Sequence, residues 1–95
     1  MWARVASFEN ADLDRLEAMS QGGVREMSPP AGLKRVMVFA DRAAKRHSFV
    51  TFFDTREALD AAAQRFEEMG NEIPEEVRGR RTSVEIYEVV HEETL

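Results

Sequence analysis

The chain has two imidazoles, His47 and His91, and imidazole is the side chain best suited to exchange a proton near neutral pH. His47 opens the apolar run HSFVTFF on the parity of Phe49 and Phe53, so a strand there carries the imidazole and two aromatic rings on one face. A neutral His47 in that setting can serve as general base toward a phenolic or enolic substrate, and its place at a hairpin end reads equally as an ordinary surface histidine. His91 stands close to the fraying end of the chain. The two are far apart and belong to no HxxxH or HExxH pattern, so no metal site is expected. Ser48 and Asp54 do not complete a hydrolytic triad with His47: neighbouring strand residues point to opposite faces, and no GxSxG elbow is present. The absence of cysteine removes the thiol nucleophile, the disulfide framework and cysteine-based metal centres.

The remaining polar groups have plainer readings. Glu67, Glu68, Glu72, Glu75 and Glu76 form an acidic run that reads as a solvated face rather than a cation site. Arg42, Lys45 and Arg46, and again Arg78, Arg80 and Arg81, can grip a carboxylate or phosphate, or pair across an interface. No glycine-rich phosphate loop or dinucleotide fingerprint accompanies them. Arg4 shares the parity of Trp2, and if buried it needs a carboxylate. Trp2 and Tyr87 combine large apolar bodies with one donor each, a composition suited to core or interface packing.

These groups must be positioned by one small domain, residues 1–95, whose 43% hydrophobic content is ordinary for a folded soluble chain. A formal net charge of −5 makes nucleic acid and anionic membrane poor partners. The start of the sequence lacks a signal-peptide pattern and no window approaches a membrane span, so a cytoplasmic location is expected.

Residues 1–9 read as a strand, and Asn10 with Asp12 as the entry to a helix striped by Leu13, Leu16 and Met19. Gly22 and Gly23 break that helix, with Val24 and Met27 returning to its stripe. Residues 28–32 are a loop around Pro29 and Pro30. A hairpin follows, with strands over 33–40 and 47–53 joined by the polar segment 41–46. Asp54 or Thr55 caps a long helix in which Leu59, Ala62, Ala63, Phe66 and Met69 recur at spacings of three and four, and Gly70 supplies the stop. A helical turn at Pro74 and a final strand over 81–90 complete the chain. The order, strand–helix–strand twice, predicts an α+β, ferredoxin-like split βαβ sandwich: a four-stranded antiparallel sheet with helices on one face.

Such a sheet, if its far side met water, would alternate apolar and polar residues. Here Val36 and Val38 back onto Met37 and Phe39, while Phe49 and Phe53 back onto Val50 and Phe52. Two helices cover one face, so the other is expected to be buried against a second copy, giving a two-fold homodimer with sheets face to face.

The segments WARVASFE, HSFVTFFDTREALDAA and SVEIYEVV resemble the dimeric α/β barrel superfamily, and within it small proteins similar to the antibiotic biosynthesis monooxygenase (ABM) domain. The resemblance spans nearly the whole chain. It implies a dimeric α/β barrel with a possible pocket in each subunit between the sheet and its own helices, and His47 facing that space. The family includes cofactor-independent oxygenases of aromatic polyketides, haem-degrading oxygenases, and members of no known activity. The haem-degrading pattern has an Asn in the first strand, a Trp where Phe53 stands, and a His in the following helix; none of these is present. The resemblance therefore implies an uncharacterised ABM-like protein: a cofactor-independent monooxygenase or related enzyme acting on a small aromatic substrate, with His47 as the base and Phe49, Phe53 and Phe66 lining the pocket. The other reading is a non-catalytic dimeric ligand-binding or regulatory module. No cofactor is expected in either case.

Overall fold

The computed structural model describes residues 1–19 and 28–95. The chain folds as β1 (Trp2–Glu9), α1 (Leu13–Met19), β2 (Leu33–Asp41), β3 (Arg46–Phe53), α2 (Arg56–Glu72), α3 (Glu75–Arg78) and β4 (Arg80–Glu88). The strands form one sheet in the order β2-β3-β1-β4, with every neighbouring pair antiparallel. The two central strands, β1 and β3, come from different halves of the chain. Each half is thus a split βαβ unit, whose two strands are separated by a strand of the other half, as expected for a ferredoxin-like sandwich.

Register decides which side chains meet the helices. Trp2 pairs with Phe53, Arg4 with Thr51, Ala6 with Phe49 and Phe8 with His47. Phe53 belongs to a core cluster with Leu59, Ala62 and Phe66 of α2, against which Trp2, Leu33, Phe49 and Met69 pack. The even residues of β1 and the odd residues of β3 therefore face α2. On the other face lie Val5, Val50 and Phe52, with Met37 and Phe39 of β2 and Tyr87 of β4 in register beside them.

Local chemistry accounts for the helices, with some departures from the sequence expectations. Thr55 caps α2, its Oγ1 accepting from the Ala58 amide at 3.1 Å. The helix passes the expected stop at Gly70 and continues to Glu72. Gly70 is not among the residues with positive φ, so it sits as an ordinary helical residue, and Pro74 follows the actual end. Asn10 does not cap α1. It takes a left-handed conformation, φ 56°, that turns the chain out of β1, and Asp12 supplies the cap by accepting from the Arg15 amide at 3.2 Å. The final strand begins and ends slightly earlier than expected, Arg80–Glu88. The expected break at Gly22 and Gly23, and the return of the stripe at Val24 and Met27, lie outside the described residues.

Candidate functional site

His47 is drawn into the structure by its strand register and held there by α3. It is 6% exposed, its ring stacked on Phe8 with centroids 4.7 Å apart and planes 7° from parallel. Nε2 lies 2.8 Å from the carbonyl oxygen of Arg78. A carbonyl only accepts, so Nε2 carries the proton and Nδ1 presents the lone pair. That Nδ1 is buried and has no hydrogen-bond partner. Burial pushes the imidazole below its ordinary pKa, opposed by the hydrogen bond to Arg78, so the neutral form is favoured.

The carbonyl of Arg78 is aimed by a tightly fixed corner. Gly79 adopts φ 85°, and a Cβ there would collide with the Glu9 carbonyl oxygen and come within 3.0 Å of the Ala11 nitrogen. The Asp12 amide donates to the Val77 carbonyl at 3.0 Å. Arg78 itself donates from Nη1 to the Gly70 carbonyl at 2.8 Å, and its guanidinium lies 5.9 Å from the centre of the Phe8 ring. The end of α2, α3 and the exit of β1 thereby converge around one histidine.

The three phenylalanines expected in a pocket occupy the sheet–helix layer. Phe53 is 0% and Phe66 6% exposed, while Phe49 is half-buried at the margin of the cluster. Phe66 meets both others edge to face, at 5.8 Å from Phe49 and 6.2 Å from Phe53.

On the same face, Arg4 is buried and donates from Nη2 to Glu67 Oε1 at 3.0 Å. Arg81 Nη1 reaches both oxygens of the same carboxylate. The hydrogen bond from Arg81, assisted by the charges of both arginines, holds Glu67 below the usual carboxylate range, while burial lowers the pKa of Arg4 against the pull of Glu67. The sequence predicts a carboxylate partner for Arg4 if it is buried, but Glu67 reads there as part of a solvated face. Thr51, directly across from Arg4, was not singled out. It is 0% exposed and its Oγ1 has no partner. Its position between Phe49 and Phe53, on their parity, was the available signal.

The other candidate groups find ordinary partners. Arg42 pairs with Asp14 and Glu17, Arg46 with Asp41, and Arg80 with Glu9. His91 is exposed and contacts Glu93. Trp2 packs on the core with the Arg56 guanidinium 5.4 Å from its ring centre. On the open face, at the hairpin end, a depression of about 580 Å³ is bordered by Phe39, Asp41, Arg46 and the hydrogen-bonded hydroxyls of Ser7 and Ser48, 2.8 Å apart.

Sheet order and layering define a ferredoxin-like α+β protein. Among solved structures, the fold is similar over 100% of this chain to that of a candidate antibiotic biosynthesis monooxygenase from Deinococcus radiodurans, covering 98% of that chain with a TM-score of 0.60 and 12% sequence identity. The chain thus has an ABM-like fold, in accord with the resemblance in its strands. No family model and no curated protein matches its sequence. Among the described residues, no helix is long and apolar enough to cross a membrane.

Proposed function

We propose that this chain is a cytoplasmic, homodimeric ABM-like enzyme, a cofactor-independent monooxygenase acting on a small aromatic substrate held at the sheet–helix layer beside Phe49, Phe53 and Phe66. The observation that carries this reading is His47: a neutral ring, oriented by the Arg78 carbonyl, with an unpartnered Nδ1 lone pair on the face of β3 that also carries Phe49. A base oriented by a third group is the arrangement that proton abstraction requires. The chemistry balances without an added reductant. A ring carbon that gives up two hydrogens and gains one oxygen atom uses one dioxygen, the other oxygen leaving as water, and the substrate supplies the electrons.

The dimer is supported by the open sheet face. Phe39 and Tyr87 there are 54% and 51% exposed, with Met37 beside them and half-buried Val5 and Phe52 between. A contiguous group of this size is the kind of surface that another protein covers.

The test is oxygen uptake with a panel of hydroxylated naphthalenes in buffer free of added metal and flavin. Uptake that is abolished or reduced at least about a hundredfold in His47→Ala supports the assignment, the range expected for losing a general base. Turnover unchanged in His47→Ala removes His47 from the mechanism.

A specific observation favours a second reading, a non-catalytic dimeric binding or regulatory module. Phe53, Leu59, Ala62 and Phe66 pack together as core. A protein that binds the naphthalenes without consuming oxygen conforms to that reading instead.

A further inference from the structure

Thr51 and Arg4 have no task in the proposed oxygenation, yet their placement is costly. A fully buried hydroxyl without a hydrogen bond has given up its bond to water for nothing in return, and a buried guanidinium is sustained only by its carboxylate. The two are direct cross-strand partners on the helix-facing side of the central strands. Phe49 and Phe53 flank Thr51 on the same face. The charge around them is unbalanced: Arg4 and Arg81 both converge on Glu67, two cations on one anion, in a chain whose net charge is −5. The partners differ in depth. The Arg4 side chain is 5% exposed and that of Glu67 38%. Arg81 holds both Glu67 oxygens, so the carboxylate can swing outward on Arg81 and release Arg4 without losing its own neutralisation.

We propose that Arg4 and Thr51 form the receptor for an ionised oxygen carried by an aromatic ligand, a phenolate or a ring carboxylate, and that Glu67 is the resident counter-ion which the ligand displaces. The inference rests on the aromatic site proposed above and specifies the charge of what enters it. The ligand anion makes the Arg4–Arg81–Glu67 group neutral overall and gives the Thr51 hydroxyl an acceptor. His47 lies four residues along the same strand face, about 13 Å away at ordinary strand rise. The anion receptor and the base therefore address opposite ends of a ligand rather than the same atom.

The probe is 4-nitrophenol, whose anion is yellow and whose neutral form is colourless, titrated into the protein at slightly acid pH. Its proton passes to the buffer as the anion is bound. Binding is read from quenching of Trp2, the sole tryptophan, and charge state from the colour. The expected result is quenching with a rise in yellow absorbance. Arg4→Met weakens binding about ten- to a hundredfold, as loss of a charged hydrogen-bond partner does. Thr51→Val weakens it several-fold, and Glu67→Gln, which removes the competing carboxylate, tightens it several-fold. The last two variants keep the test valid should Arg4→Met fail to fold. Quenching without added colour, or binding indifferent to Thr51→Val and Glu67→Gln, overturns the anion receptor and leaves the aromatic site standing. Neither quenching nor colour at millimolar probe overturns the aromatic site, and the receptor with it.

Discussion

At the scale of single residues, the two buried side-chain atoms found without partners among the described residues make opposite demands. Nδ1 of His47 is an acceptor, tolerable while the ring is neutral and unfavourable once a proton arrives with no acceptor to receive it. Because burial lowers the folded-state pKa below the ordinary 6.5, the unfolded chain takes up that proton first. Stability contributed by the neutral ring is complete above the unfolded pKa and is lost as pH falls below it. Urea midpoints between pH 7.5 and 5.5 should therefore fall in the native protein, and fall less in His47→Gln. An equal slope in both removes His47 as the titrating group. Thr51 presents the simpler case. Thr51→Val keeps the shape and removes the unpaired hydroxyl, so it should raise stability by up to about 1 kcal/mol, read as a higher urea midpoint. A residue whose removal stabilises the fold while weakening the anion site is kept for binding rather than for structure.

Among the described elements, the most consequential is also the shortest. α3 has four residues, too few for a helix stable on its own, and it exists because its surroundings hold it. The Val77 side chain is fully buried, Asp12 donates to its carbonyl, and Gly79 lets the chain leave at φ 85° against the β1 exit. This element delivers the carbonyl that orients His47. Gly79→Ala should therefore cost about 1–3 kcal/mol from backbone strain alone and also disturb the His47 environment, visible as a shift of its ring resonances in the folded fraction. A shift confined to residues near Glu9 and Ala11 would uncouple the corner from the histidine. The α2 stripe is legible in the sequence because its period is a property of the segment itself. Its end is not: Gly70 carries a stop signal, but the helical conformation is retained through it until Pro74 approaches. Asn10 shows the same limit. Its type signals a special backbone position, and only the chain direction out of β1 decides between a cap and a left-handed turn.

For the molecule as a whole, the exposed apolar side chains divide between both faces of the sheet. α2 packs on β1 and β3, the two central strands. The helix-facing sides of the edge strands are left open, with Val38 57% exposed on β2 and Val84 and Ile86 exposed on β4. The doubled apolar pattern seen in the strands thus has two causes among the described residues: a far face without helices, and helices too narrow to cover the near face. Dimerisation through the far face predicts that Phe39→Asp converts the protein to a monomer in native mass spectrometry, while Val38→Asp, on the other side of the same strand, leaves the assembly intact. A native protein that is monomeric at micromolar concentration, or a Val38→Asp variant that dissociates while Phe39→Asp does not, counts against the far face as the interface.

The amino-acid sequence by itself determined the number and order of the strands, the long second helix with a cap at Asp54 or Thr55, and the parity that sets His47 and Phe49 on one face. These follow from periods of two and about three and a half within contiguous segments, and from side chains that bond their own backbone. Tertiary structure alone decided the partners: Arg78 as the acceptor for His47, Phe8 as its stacking ring, Glu67 as the carboxylate shared by Arg4 and Arg81, and Thr51 as a hydroxyl with none. Each of these joins residues from different elements, or denies a residue any such contact. The outcome depends on strand register and on where α2 and α3 come to rest, quantities fixed by the packing of the whole layer and encoded in no single segment.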